Sequence, residues 1–357
     1  MIIGVFLAVV ASVFVAGCAT VGPATVPRDR FEYNAAVSDS WKEQTLLNIV
    51  KLRYADMPLF MQVASIVSGY TVEGTVNLEG TAFESGSVPA SATLGGSGKF
   101  VDRPTITYVP ITGSEFNQNF MTPVPPSAVL FLLQAGWPAS LVLPMTLEGI
   151  NGLRAQRSQG LRQRAGDTGF YRVIELFSIL QDAGAMSMRV VSGTGQSDST
   201  MILIRRERVA PEIEAAANEL AELLGIWPDA SEYKVYFGEI ATGDTELAML
   251  TRSTLSIMLE LMAHVDVPAE DIAEGRAPAT MPVPVDSHRE LRMYADIRSS
   301  ATKPEDAFVS VRYRDRWFWI DDRDYGSKRI FTFLMLLFSL TETGGKEGLP
   351  LVTIPTG

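Results

Sequence analysis

The chain has 357 residues, with 30 Lys and Arg against 41 Asp and Glu, a formal net charge of −11 and a single cysteine. An acidic balance of this size argues against a nucleic-acid partner, because phosphate contacts need clustered cations. One cysteine excludes a disulfide within the chain, and the length is enough to bury one large core or two modest ones.

From Ile2 to Ala16 the residues are almost all apolar, and Gly17 and Cys18 follow. A short apolar run ending in small residues reads as the hydrophobic and cleavage regions of a secretory signal; a membrane span needs roughly 20 residues. Val15-Ala16-Gly17-Cys18 resembles the lipobox of bacterial lipoproteins, although Met1-Ile2-Ile3 lacks the basic residue that normally opens such signals. The resemblance implies that signal peptidase reads Val15, Ala16 and Gly17. It also implies that Cys18 carries a covalent lipid such as palmitate, the only cofactor expected. Ala19-Thr20 lacks the Asp of inner-membrane retention, which implies an outer-membrane anchor with the domain facing the periplasm. Residues 1–17 are then a signal peptide and 18–35 a tether, and the whole resembles proteobacterial outer-membrane lipoproteins.

The next region, 36–140, begins with a helix predicted from Ser40. Ser40-Trp41-Lys42-Glu43 has capping-box spacing, and Trp41, Leu46, Ile49, Val50 and Leu52 recur at near-helical intervals up to Pro58. At Tyr70 the period changes to two. Val72, Gly74, Val76, Leu78, Gly80 and Ala82 alternate with Glu73, Thr75, Asn77, Glu79 and Thr81; Ala92, Leu94, Gly96, Gly98 and Phe100 alternate with polar or Gly positions that include Lys99. With Gly86 and Pro89 between them, the two stretches predict a β-hairpin, followed by a strand at Thr105–Val109 and a short helix at Ser127–Gln134.

Region 141–240 predicts a strand at Leu141–Leu147 and an Arg-rich loop. A helix at Phe170–Ala183, strands at Met186–Val191 and Thr200–Arg205, a helix at Pro211–Leu224 and a strand at Tyr233–Phe237 follow. The strand–helix–strand–strand–helix order resembles the ring-building domains of bacterial secretion assemblies. Region 241–357 predicts a helix at Thr251–His264, a Pro-rich connection and a hairpin of Phe308–Tyr313 with Trp317–Ile320. A buried helix at Ile330–Leu340 and a tail strand at Leu351–Ile354 complete it. The fold class is α+β.

No arrangement of residues commits to catalysis. Gly96-Ser97-Gly98-Lys99 lacks the leading Gly and the trailing Ser or Thr of a phosphate-binding loop. Asp321, Asp322 and Asp324 lack a calcium-loop spacing and suit a helix N-terminus. His264 and His288 belong to no zinc spacing, and no nucleophile elbow is present. The expectation is therefore no catalytic residue and no metal. Arg154, Arg157, Arg162 and Arg164 are candidates for contact with anionic headgroups, with a solvated loop as the alternative. Val72, Val76, Leu78, Leu94 and Phe100 are candidates for a membrane or pore hairpin, since each strand has the 9–11 residues that cross a bilayer as β-structure. The face is thin, no aromatic girdle brackets it, and several copies would each have to donate a hairpin, as lipoprotein export channels of the curli type do.

Three functions follow in order. The first is a lipid-anchored outer-membrane structural or assembly component working through an envelope partner or its own copies. The second is an oligomeric export pore built from the Val72–Phe100 hairpin. The third is a periplasmic hydrolase of envelope polymer.

Overall fold

A computed structural model describes residues 26–67, 69–80, 92–159, 162–191, 199–206, 208–281 and 291–341. The lipobox residues Val15 to Cys18 and the predicted tail strand Leu351–Ile354 lie outside them. The chain is mixed α+β, with a hairpin and a C-terminal helix. Contacts divide it into two units: the described parts of 26–40 and 61–110, and those of 41–60 and 111–341.

The first helix, α1, spans Val26–Arg53, so it starts well before the capping box at Ser40. Pro27 sits in its first turn, where a missing N–H costs nothing. Residues 26–39 have no apolar stripe, which is why periodicity is silent there. Burial begins further along, at Thr45, Leu46, Asn48, Ile49 and Val50.

The smaller unit holds four strands, β1 Met61–Val67, β2 Tyr70–Gly80, β3 Ala92–Asp102 and β4 Thr105–Pro110. β1 pairs antiparallel with β4 and β2 with β3. The strand β1 is absent from the sequence prediction because Met-Gln-Val-Ala-Ser-Ile-Val alternates poorly.

The larger unit opens with a short helix α2 (Gly113–Phe116), a π-turn at Asn117–Met121 and the apolar helix α3 (Pro126–Gln134). The predicted strand at Leu141–Leu147 is instead helix α4, Ala139–Thr146. Leu141, Val142, Leu143 and Met145 are all buried. A helix covered on every side has no polar face, so its pattern cannot be told from that of a buried strand. The strand comes immediately after it, as β5 Leu147–Ile150.

Then follow β6 (Leu153–Arg154), β7 (Arg157–Gln159), β8 (Arg162–Arg164), α5 (Thr168–Asp182), β9 (Met186–Val191), β10 (Ser199–Ile204), α6 (Pro211–Leu224), β11 (Glu232–Phe237) and β12 (Glu246–Thr251). One six-stranded sheet runs β6-β5-β12-β11-β10-β9. Only the β11–β12 pair in it is parallel. β12 is a central strand built from Glu-Leu-Ala-Met-Leu-Thr. Those are helix-favouring residues, and tertiary burial on both faces overrides their propensity.

After helices α7 (Thr254–Met262) and α8 (Ala269–Ala273), a three-stranded sheet has the order β13-β15-β14, with β13 at Arg298–Ser300, β14 at Ala307–Tyr313 and β15 at Arg316–Asp321. Helix α9, Tyr325–Thr341, closes this part. Phe318 and Ile320 of β15 and Phe331, Phe333, Leu334 and Leu337 of α9 are fully buried in one core. Trp317 and Trp319 are half-buried beneath cations, Lys303 at 5.3 Å and Arg298 at 5.3 Å from the ring centres. The aromatic strand is thus a core strand on one side and cation-covered on the other.

Candidate functional site

The candidate site is the ribbon made by β1 to β4. Its central part has eleven paired rows, from Tyr70↔Asp102 to Gly80↔Ala92. The register is the one that keeps like with like. Val72 stands opposite Phe100, Gly74 opposite Gly98, Val76 opposite Gly96 and Leu78 opposite Leu94. On the other face Glu73 stands opposite Lys99, Thr75 opposite Ser97 and Glu79 opposite Thr93. Glu73 and Lys99 approach to 3.9 Å while both remain about three-fifths exposed, so the pair adds little stability. A slip of one residue would mix the two faces throughout.

The alternation continues toward the root of the ribbon. The offset between partners is the same at Val67↔Thr105 as at Tyr70↔Asp102, and Arg103 N–H donates to the Gly69 carbonyl at 2.9 Å between them. A Cβ at Gly69 would stand 3.3 Å from the Arg103 carbonyl oxygen, which explains the glycine at this join. Ile66↔Ile106 therefore belongs to the face of Val72 and Phe100. One bulge, between Val63 and Ser65, then brings Val63 and Tyr108 onto it. The same register puts Tyr70 and Phe100 in adjacent rows of that face. The sequence alone shows no such aromatic pair, because thirty residues separate them.

All of β4 is exposed, including Ile106, Tyr108 and Val109. Among the described residues β2 and β3 form a two-stranded sheet, as do β1 and β4, so β2, β3 and β4 each have one edge without a β partner there. In the larger unit Phe60 and Ile111 are buried and joined by Ile111 N–H to Phe60 carbonyl at 2.9 Å. Asn48 fixes Leu59 in the same unit: its Nδ2 donates to the Leu59 carbonyl at 2.8 Å, and its Oδ1 accepts from Leu59 N–H at 3.0 Å.

Three of the four arginines lie on one small hairpin, and Arg154 lies on β6. Arg157↔Arg164 and Gln159↔Arg162 are rows of the small β7–β8 hairpin. Arg154 pairs with Glu239, Arg157 with Glu148 at 2.9 Å, and Arg164 donates to the Ala155 carbonyl at 3.2 Å. Three of the four are thus occupied within the chain. Gly96 to Lys99 is regular strand within β3, with no loop to cradle a phosphate. Asp324 precedes α9 and accepts from Ser327 N–H at 3.1 Å, while Asp321 and Asp322 pair with Arg298 and Lys328. Among the described residues no group of three or more His, Cys, Asp or Glu could hold a metal.

A buried polar cluster in the larger unit has no sequence signal. Arg252 is fully enclosed; its Nε donates to the Leu147 carbonyl and its Nη2 to the Gln156 carbonyl, each at 3.1 Å. Glu260 lies 3.9 Å from Arg252 Nη1 and accepts from Ser158 N–H at 2.8 Å. Burial pushes the Arg252 pKa down, and Glu260 opposes the shift. Gln156, Tyr171, His264 and Arg292 line the same void, about 20 Å³, which has room for a water and little more. Gly166 is required beside it, since a Cβ there would meet Gln156 N at 2.5 Å. The cluster ties β7 to α7.

Among the described residues no helix is long and apolar enough to cross a membrane, which does not bear on β-structure. Compared with protein-family models, curated proteins and solved structures, the chain matches none.

Proposed function

We propose that this chain is a lipid-anchored outer-membrane component that works through protein contacts, as an assembly of its own copies joined along the edges of the β1–β4 ribbon. The observation that carries the reading is the one register shared by every pair from Ser65↔Thr107 to Gly80↔Ala92, with no third strand among the described residues. A lone two-stranded ribbon is marginal in water, and its open edges are templates for another strand. Here the two edges are the two sides of one ribbon, equal in length and carrying the same alternation. Strand β3 of one copy beside β2 of the next therefore continues both faces. Opposite charges complement the join, because Glu73 lies on one strand and Lys99 on the other. The lipobox resemblance supplies the anchor, on Cys18.

Two measurements test the reading. Cys18→Ser should abolish lipid labelling and leave the precursor uncleaved; normal maturation of C18S would remove the anchor from the proposal. A photo-crosslinking residue at Thr105 or Thr107 in β4 should capture a second copy of the chain in cells. Capture of a different envelope protein instead would make the ribbon a heterologous docking strand.

A further inference from the structure

We infer that the ribbons of several copies close into a β-barrel that crosses the outer membrane, with the Val72–Phe100 face toward lipid and the Glu73–Lys99 face lining water. The inference rests on the self-assembly proposed above and goes further, by assigning the assembly a pore.

The dimensions fit. Eleven residues at about 3.3 Å each make β2 and β3 about 36 Å long. Tilted by about 40°, as barrel strands are, they rise about 28 Å, against an apolar band of about 25 Å. Nine of the eleven rows divide as a barrel wall requires. Val72/Phe100, Gly74/Gly98, Val76/Gly96, Leu78/Leu94 and Gly80/Ala92 carry no charge and no polar side chain. Glu73/Lys99, Thr75/Ser97, Asn77/Gly95 and Glu79/Thr93 suit a wet lumen. The two rows at the root, Tyr70/Asp102 and Thr71/Val101, mix polar and apolar residues and fall at the water interface, the level at which an aromatic such as Tyr70 sits beside a charge. Beyond that end the ribbon continues as β1 and β4, where Gln62, Ser65, Thr105 and Thr107 bring polar residues.

Closure follows from the backbone. In hydrocarbon every unpaired N–H and C=O is costly, so a two-stranded ribbon with open edges cannot enter lipid alone, whereas a ring of ribbons has no edge. Each copy contributes two strands, which gives the even strand number of such barrels. A water-filled channel takes about sixteen strands, hence about eight copies. Glu73, Glu79 and Lys99 leave the lumen face with one net negative charge per copy, so the pore should favour cations.

The test uses full-length lipidated protein in phosphatidylethanolamine–phosphatidylglycerol vesicles. Cys18 is the only cysteine and is occupied by lipid, so one introduced cysteine is the only free thiol. Single substitutions Val72→Cys, Glu73→Cys, Gly74→Cys, Thr75→Cys, Val76→Cys and Asn77→Cys are labelled with a membrane-impermeant maleimide. Labelling should alternate, with positions 73, 75 and 77 at least about tenfold faster than 72, 74 and 76. The same vesicles fused to a planar bilayer should conduct, and Glu73→Lys should move the reversal potential toward anions. Equal labelling at all six positions in a preparation that remains oligomeric overturns the barrel and leaves self-assembly standing. Alternating labelling without conductance overturns the open lumen. Loss of the oligomer in unsubstituted protein removes both readings.

Discussion

Two hairpins of this chain carry alternating sequences and meet different ends. The β14–β15 hairpin gains a third strand in β13 and buries Phe318 and Ile320 completely beside α9. The β2–β3 hairpin is longer and has no bulge, yet among the described residues it has no third strand. Alternation therefore specifies a two-faced ribbon but not what covers it. For β14–β15 the same chain provides the cover. For β2–β3 we propose that other copies provide it.

The contrast can be broken by mutation. The largest effect should come from Phe318→Ala, which empties a fully buried site and should cost about 3–5 kcal/mol in urea unfolding. Glu260→Ala should cost about 3 kcal/mol, because it leaves Arg252 and the Ser158 N–H enclosed without their partner. Glu260→Gln, which still accepts from Ser158, should cost less; equal losses would mean that the charge of Glu260 carries the whole effect and its bond to Ser158 none.

A smaller effect depends on pH. Burial holds the His264 pKa below its ordinary 6.5, while its Nδ1–H donates to the Met281 carbonyl at 3.1 Å. The folded protein then keeps this ring neutral at pH values where the unfolded chain takes up a proton. This contribution is complete above about pH 6.5 and declines as the pH falls below it toward the folded pKa. His264→Gln should flatten the stability–pH curve in that window, and an unchanged slope would assign the loss to other groups. Smallest of all, Ile106→Ala in the exposed β4 should change monomer stability by no more than about 0.5 kcal/mol. A loss comparable to that of Phe318→Ala would show that this face is already covered within one chain.

Legibility in the sequence follows the same division. The β2–β3 hairpin can be read residue by residue, since period two survives wherever one face differs from the other. The helices α5 and α6 and the β14–β15 hairpin are legible for the same reason. Elements buried on both faces are not: α4 reads as a strand and β12 as no element, because uniform burial erases the period. The N-terminal turns of α1 are hidden for the opposite reason, having no apolar stripe. The Arg252–Glu260 cluster depends on pairing across the larger unit, from β5 and β7 to α7, and no local motif announces it. What the structure adds to the candidate site is the register. It joins β1 to β2 and β3 to β4 as one ribbon and brings Tyr70 level with the Phe100 end of its apolar face.

The most direct measurement is the mass of the lipidated protein in detergent, by light scattering, with and without the outer ribbon. The shortened chain replaces residues 69–103 with an Asn-Gly turn, which closes β1 onto β4. The intact chain should form a particle of about eight copies, and the shortened chain should be a monomer with the thermal transition of its larger unit preserved. An intact chain that is monomeric, or a shortened chain that keeps the full mass, would contradict assembly through the ribbon.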